Sequence, residues 1–376
     1  MGSIDRRASA FVGASLLLCV GLVALAGDPT PPPGPIGPTM KPLDEVEPRT
    51  AINDTNTPGD AGNIYKITKS GSYYLTENVT GIATRVGIEI AASDVTIDLN
   101  GYVLVGVPGS AAGIATLTPG LSNITVRNGT VRDWAQYGID LASIPVDGAS
   151  IESVRVVGNL FDGARVGTAA MIRDSRASAN GGAGFRVVGA GGSIDNSHAD
   201  NNGEAGISTF EDAVVSNCRA NNNAIAGILS ASGALITDCL ASNNQGVGIQ
   251  ANSSCTVANC SVTKNWTDGI LIGSNCTVRS NNCAFNGSNG SGAGIHATSW
   301  DNRIESNNCT SADIGIDVDF VGNFIVRNIC SGNTTNWTVA GNNTCLVVQN
   351  TPSIAVNGDT GGSAPGTTDP WANFTY

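Results

Sequence analysis

Charge is scarce in this chain: 13% of its residues are Asp, Glu, Lys or Arg, and the balance is acidic at −12. That sign excludes DNA, RNA and anionic membrane surfaces as general partners. Aromatic residues make up only 5% of a chain that holds 48 glycines, which deprives a globular core of bulk and suits tight, stacked turns. No window spaces its apolar residues by three and four over roughly ten residues, so helix-containing repeats are excluded. Leucine-rich repeats need several leucines per unit, and calcium-binding nonapeptide repeats need a Gly-Gly-x-Gly-x-Asp phrase. Neither is present. Paired Cys-x-x-Cys spacing is also missing, which argues against a cysteine metal site.

What is present is a repeat. GISTFEDAVVSNCRANNNAIA starts at 206, GILSASGALITDCLASNNQGV at 227 and GIQANSSCTVANCSVTKNWTD at 248, each 21 residues after the one before. The same start recurs at Gly87, Gly113, Gly138, Gly163 and Gly184, and again at Gly269, Gly294 and Gly315. A fixed period this short marks a solenoid. Within each unit lie short alternating runs such as AVVSN, ALITD and CTVAN, rich in β-branched residues and bounded by Gly, Asn, Ser and Asp. The expectation is an all-β coil of about eleven turns, each about 4.8 Å deep, carrying parallel sheets over about 50 Å.

Columns support that winding. Asn159, Asn180, Asn202, Asn223, Asn244 and Asn265 each stand four residues before a Gly start, and Asn286 continues the series if an insertion follows it. Stacked amides in such a column can hydrogen-bond along the coil, and Asn tolerates the left-handed backbone of a tight turn. Cys218, Cys239 and Cys260 share a second column with Ser175 and Ser197. Small residues of this kind read as buried filler, hence mostly free stacked thiols, with inter-turn disulfides as the alternative.

With these units, and with the opening phrases VTIDLNGY from 95 and ITVRNG from 124, the chain resembles the right-handed parallel β-helix repeat proteins of the pectate-lyase-like superfold. Within that class it is similar to exported members of unassigned activity, over roughly 64–350. The resemblance implies a single-stranded right-handed parallel β-helix with terminal caps. It also implies contact with acidic polysaccharides, which the family's enzymes cleave or modify. Lyases there use an Arg or Lys base with carboxylate-held calcium, and hydrolases use paired aspartates beside Gly-His-Gly. Neither set transfers to this chain, which has no Gly-His-Gly and no Asp-Asp pair.

The remaining segments divide readily. Residues 1–26 read as a signal peptide, with Arg6 and Arg7 before an apolar run and Ala24-Leu25-Ala26 before Gly27. Residues 27–50 are a Pro-rich spacer, and 51–350 the β-helix, with 64–79 expected to cover its open end. Residues 351–376 form a tail whose Trp371, Phe374 and Tyr376 are expected to dock on the last turn. The mature chain is expected to be secreted, periplasmic or on the cell surface, without a transmembrane segment. Nothing in the repeat sets an oligomeric state.

Two outward lines, each with one residue per turn, are the candidate sites. Asp140, Arg165 and Arg186 fall on the line two places after each Gly, which ends in His296 and Asp317. Arg155, Arg176, His198 and Arg219 form a second line, a basic stripe suited to an acidic sugar chain. Asp313, Asp317 and Asp319 are the carboxylates placed to hold calcium, although a solvated edge is the preferred reading and no cofactor is required. The expected function is polysaccharide binding without turnover. An atypical lyase, hydrolase or epimerase, and a structural envelope protein, are the alternatives.

Overall fold

The computed structural model describes residues 48–144, 146–349 and 369–375. The expected signal peptide, nearly all of the Pro-rich spacer, and the tail apart from 369–375 lie outside them. Among the described residues there is no helix.

Each turn of the coil contributes one strand to a sheet of thirteen and two strands to a sheet of twenty-six, and the pairings between named strands are parallel. The chain is a right-handed parallel β-helix. Thirteen strands in the smaller sheet exceed the eleven Gly starts because two turns carry no glycine there. Asn63–Ile67 pairs with Val86–Ile90 and puts Ile64 in the Gly87 position, while Thr335–Val339 pairs with Ile314–Val318 and puts Asn336 in the Gly315 position. The segment expected to cover the open end therefore continues the stack: Gly71–Leu75 likewise pairs in parallel with Val95–Asp98.

Three apolar columns fill the interior. Ile207, Ile228, Ile249 and Ile270 succeed one another on the smaller sheet. Val215, Ile236 and Val257 stack on the first strand of the larger sheet, and Ala220, Ala241 and Val262 on its second. All ten are fully buried. Each buried Ile or Val is worth about 1.5–3 kcal/mol, and period-two alternation turns the intervening residues outward.

The corners fix the register. Asn217, Asp238 and Asn259 occupy one left-handed corner, with φ of 55, 57 and 58°. Asn222, Asn243 and Lys264 occupy another, at 56, 55 and 59°. Asn and Asp adopt this backbone at low cost. The buried asparagines themselves stand one residue later. Asn202 Nδ2 donates to Asn223 Oδ1 at 3.0 Å, Asn223 Nδ2 to Asn244 Oδ1 at 3.0 Å, and Asn244 Nδ2 to Asn265 Oδ1 at 2.9 Å. The same oxygens accept the backbone N–H of the preceding turn's asparagine, as Asn223 Oδ1 does from Asn202 at 3.0 Å. The series extends from Asn159 to Asn286, so the insertion falls after Asn286.

Over the middle turns the asparagines, with the backbone of the next turn, crowd the glycine column. A methyl group on Gly206 would lie 2.6 Å from Asn223 Nδ2, and on Gly227 2.7 Å from Asn244 Nδ2. The Ser/Cys column continues in Asn281, Asn307 and Asn328 and ends on Asn373, to which Asn328 Nδ2 donates at 3.0 Å. Thus Asn373–Thr375 docks on the last turns, pairing with Ile329 and Val347–Gln349, while the Trp371 ring packs 6.1 Å from Phe324. The nine cysteines among the described residues are free thiols, and all but Cys345 are buried.

Candidate functional site

The outward line of the smaller sheet is continuous. Asp140 pairs in register with Arg165, Arg165 with Arg186 and Arg186 with Ser208; farther along, Leu271 pairs with His296 and His296 with Asp317. A recurrent device decorates it. The residue just before a Gly start reaches the outward residue of the next turn. Asp162 Oδ2 accepts from Arg186 Nε at 2.9 Å while its Oδ1 accepts the Ala183 N–H at 2.7 Å. Asp268 repeats the arrangement: Oδ2 stands 3.2 Å from His296 Nδ1 and Oδ1 accepts the Ala293 N–H at 2.7 Å. Tyr137, in the same position one turn before Asp162, lies under the Arg165 guanidinium at 4.6 Å.

Asp140, Arg165 and Arg186 therefore share a line, but two of them are occupied internally. Asp140 is buried and accepts the N–H groups of Ala142 and Ser143 at 3.1 and 2.9 Å, closing its own loop. It stands 3.5 Å from Arg165 Nε, an ion pair without a hydrogen bond. Arg186 is held by Asp162 and Glu204. With Tyr137 and Phe161 the two arginines line a cavity of about 370 Å³, in which Phe161 is 45% exposed.

At the other end, the three aspartates do not form a carboxylate cluster of their own. Asp317 and Asp319 gather about His296, with Oδ2 atoms 3.9 and 3.1 Å from Nε2. Asp313 lines the same cavity, of about 490 Å³, beside Thr267 and Asp268. The hydrogen bond to Asp268 holds the His296 pKa up at about 9 despite burial of the ring. Burial raises that of Asp317.

The larger sheet carries two adjacent outward rows of opposite character. In one, Asp98, Arg127, Glu152, Arg173 and Asp195 alternate in sign turn by turn. Arg127 pairs with Asp98 at 3.3 Å and Arg173 with Glu152 at 3.0 Å. In the other, Arg155, Arg176, His198 and Arg219 are consecutive partners, as the repeat predicts. All three arginines are exposed, and none forms an ion pair among the described residues. Burial lowers the pKa of His198 and Arg176 lowers it further; Asp200 on the same strand opposes them, and Arg219 adds a smaller lowering. Four cationic or titratable groups thus face solvent over about 14 Å.

Sequence reasoning missed Tyr137, Asp162, Glu204 and Asp268. A signal for three of them was present, since Tyr137, Asp162 and Asp268 each precede a Gly start where most turns place Ala or Val.

Comparison with known proteins places this geometry in a fold. The family described as a right handed beta helix region matches residues 112–256. The A-module of the Azotobacter vinelandii mannuronan C-5 epimerase AlgE6 superposes with a TM-score of 0.55 at 17% identity, covering 73% of this chain and 89% of that one. The AlgE4 A-module from the same organism gives 0.52 at 15% identity, covering 73% and 91%. No curated protein sequence matches. The likeness is one of fold: the chain is a right-handed parallel β-helix.

Proposed function

We propose that the protein binds an acidic polysaccharide along the outside of its coil, with Arg155, Arg176, His198 and Arg219 as the contact row. One observation carries this reading: the neighbouring row of the same sheet neutralises itself, whereas the three arginines of this one form no ion pair among the described residues. Stacked like charge costs stability in an isolated fold, and a polyanion laid along the row relieves it. A chain of carboxylated sugars supplies negative charge at regular intervals to groups that recur every turn. The Arg165 and Arg186 cavity, with its exposed Phe161 ring, offers a second contact for a sugar chain. The two solved structures of similar fold are named for mannuronan, which supports a carbohydrate ligand of this class. A secreted, periplasmic or cell-surface location follows from such a ligand.

Calorimetric titration of the protein with oligouronates and with neutral oligoglucans tests this reading. The acidic oligomers are expected to bind and the neutral ones not, with affinity falling as salt rises. Arg176→Ala with Arg219→Ala should weaken binding about tenfold or more, at about 1 kcal/mol for each guanidinium removed. Arg173→Ala, from the self-compensated row, should leave affinity unchanged. Equal binding of neutral oligomers, or no loss in the double variant, would refute the assignment. Appearance of cleaved or epimerised product would make the face a substrate face.

A further inference from the structure

We propose that His296, Asp317 and Asp319 form a binding site for a divalent first-row transition-metal ion, with Asp268 as the supporting carboxylate behind the imidazole. His296 and Asp317 are register partners on adjacent strands, Asp319 lies two residues beyond, and Asp268 comes from the turn before. Three successive turns of a rigid stack thus converge.

The ligand atoms are suitably placed. His296 Nε2 and one carboxylate oxygen from each of Asp317 and Asp319 all lie within 4.8 Å of one another, and Nε2 is 3.1 Å from Asp319 Oδ2. Metal–ligand distances of about 2.0–2.2 Å bring adjacent donor atoms to about 3 Å, a small closure from this arrangement. The imidazole is oriented from behind. A carboxylate on Nδ1 orients the ring, the arrangement found behind metal-bound histidines, and points Nε2 at Asp319; metal binding there releases the Nε2 proton to solvent.

Charge gives a second, separate reason. Asp268, Asp317 and Asp319 stand about one imidazole, Asp313 lines the adjoining cavity, and no Lys or Arg among the described residues pairs with any of the four. Asp313 Oδ2, Asp317 Oδ1 and Thr267 Oγ1 are buried without hydrogen-bond partners. A dication carrying bound water supplies the missing donors and sets two charges, against the single one an imidazole can carry, among these carboxylates. The Asp162–Arg186 pair shows the same backbone device completed by a guanidinium, which fills its own site. Histidine in that position turns its second nitrogen, Nε2, outward to Asp319, where a metal ion can take the place of the Nε2 proton.

An imidazole with two carboxylates suits zinc or manganese, whereas calcium asks for six to eight oxygens. The adjoining cavity of about 490 Å³ leaves coordination positions open to water or to a ligand oxygen.

The test uses untagged full-length protein stripped with chelator and titrated calorimetrically at pH 8 with zinc, manganese and calcium chlorides. No glycan is involved, so the outcome is independent of the polysaccharide reading. Zinc or manganese should bind at one site per chain, at least tenfold more tightly than calcium. His296→Gln and Asp319→Asn should abolish that site, and Asp268→Asn should weaken it by about 10–100-fold. Circular dichroism checks each variant for folding. Asp319, with a side chain 46% exposed, provides the substitution least able to disturb the coil. Failure of both metals to bind, calcium binding as tightly as either, or binding indifferent to Asp319→Asn in the folded variant would each overturn the proposal.

Discussion

Asn223 shows how much one residue carries in this coil. Its oxygen accepts both the backbone and the side-chain N–H of Asn202, while its amide donates to Asn244 Oδ1 and to the Ala199 carbonyl at 3.0 Å. Asn223→Ala strands several buried polar groups at about 1–3 kcal/mol each, so a loss of at least about 3 kcal/mol is expected in denaturant unfolding. Asn243→Ala changes an exposed corner residue whose left-handed φ of 55° costs an alanine about 1 kcal/mol. The two variants should therefore differ clearly, and equal losses would contradict the buried column. The sequence showed that asparagines recur at this spacing, but not that the corner conformation belongs to the residue before. Both neighbours are asparagines in several turns, and composition does not separate a buried amide from a left-handed one.

At the scale of the turn, glycine and asparagine columns are one feature. The Gly206 position has room only for hydrogen because Asn223 of the next turn leans across it, with backbone oxygens of Ala199 and Gly227 at 3.0 Å. Gly206→Ala should accordingly lower the unfolding free energy by an amount typical of an overpacked core, about 1–3 kcal/mol. The same substitution at Gly341, where nothing lies within 4 Å, should leave stability nearly unchanged. Ile64 and Asn336 stand in the glycine position at the two ends of the stack, so a count of Gly starts leaves those two turns out. The Asp268–His296 contact was illegible for a related reason. The insertion after Asn286 breaks the count of 21, and a side chain reaching from one turn to the next leaves no trace in a period.

Across the molecule, the outward rows were legible because strand register converts a sequence interval into a spatial neighbour. Arg155, Arg176, His198 and Arg219 followed from arithmetic alone. Their electrical state did not, since only the structure separates a row with partners from one without. The basic row as a polyanion site is the central claim, and His198 lies within it. The chain has two histidines, so its ring resonance is readily assigned by substitution. Burial, then Arg176, depress its pKa in the free protein, Asp200 partly offsets them, and Arg219 adds a smaller depression. A polyanion on the row counters the two arginines and raises the pKa. By linkage, affinity then increases as pH falls through the titration. The decisive measurement is the His198 pKa by NMR with and without a saturating oligouronate. An upward shift on binding is expected, absent for a neutral oligomer. An unmoved His198 titration in a protein that has demonstrably bound the oligouronate would contradict the claim.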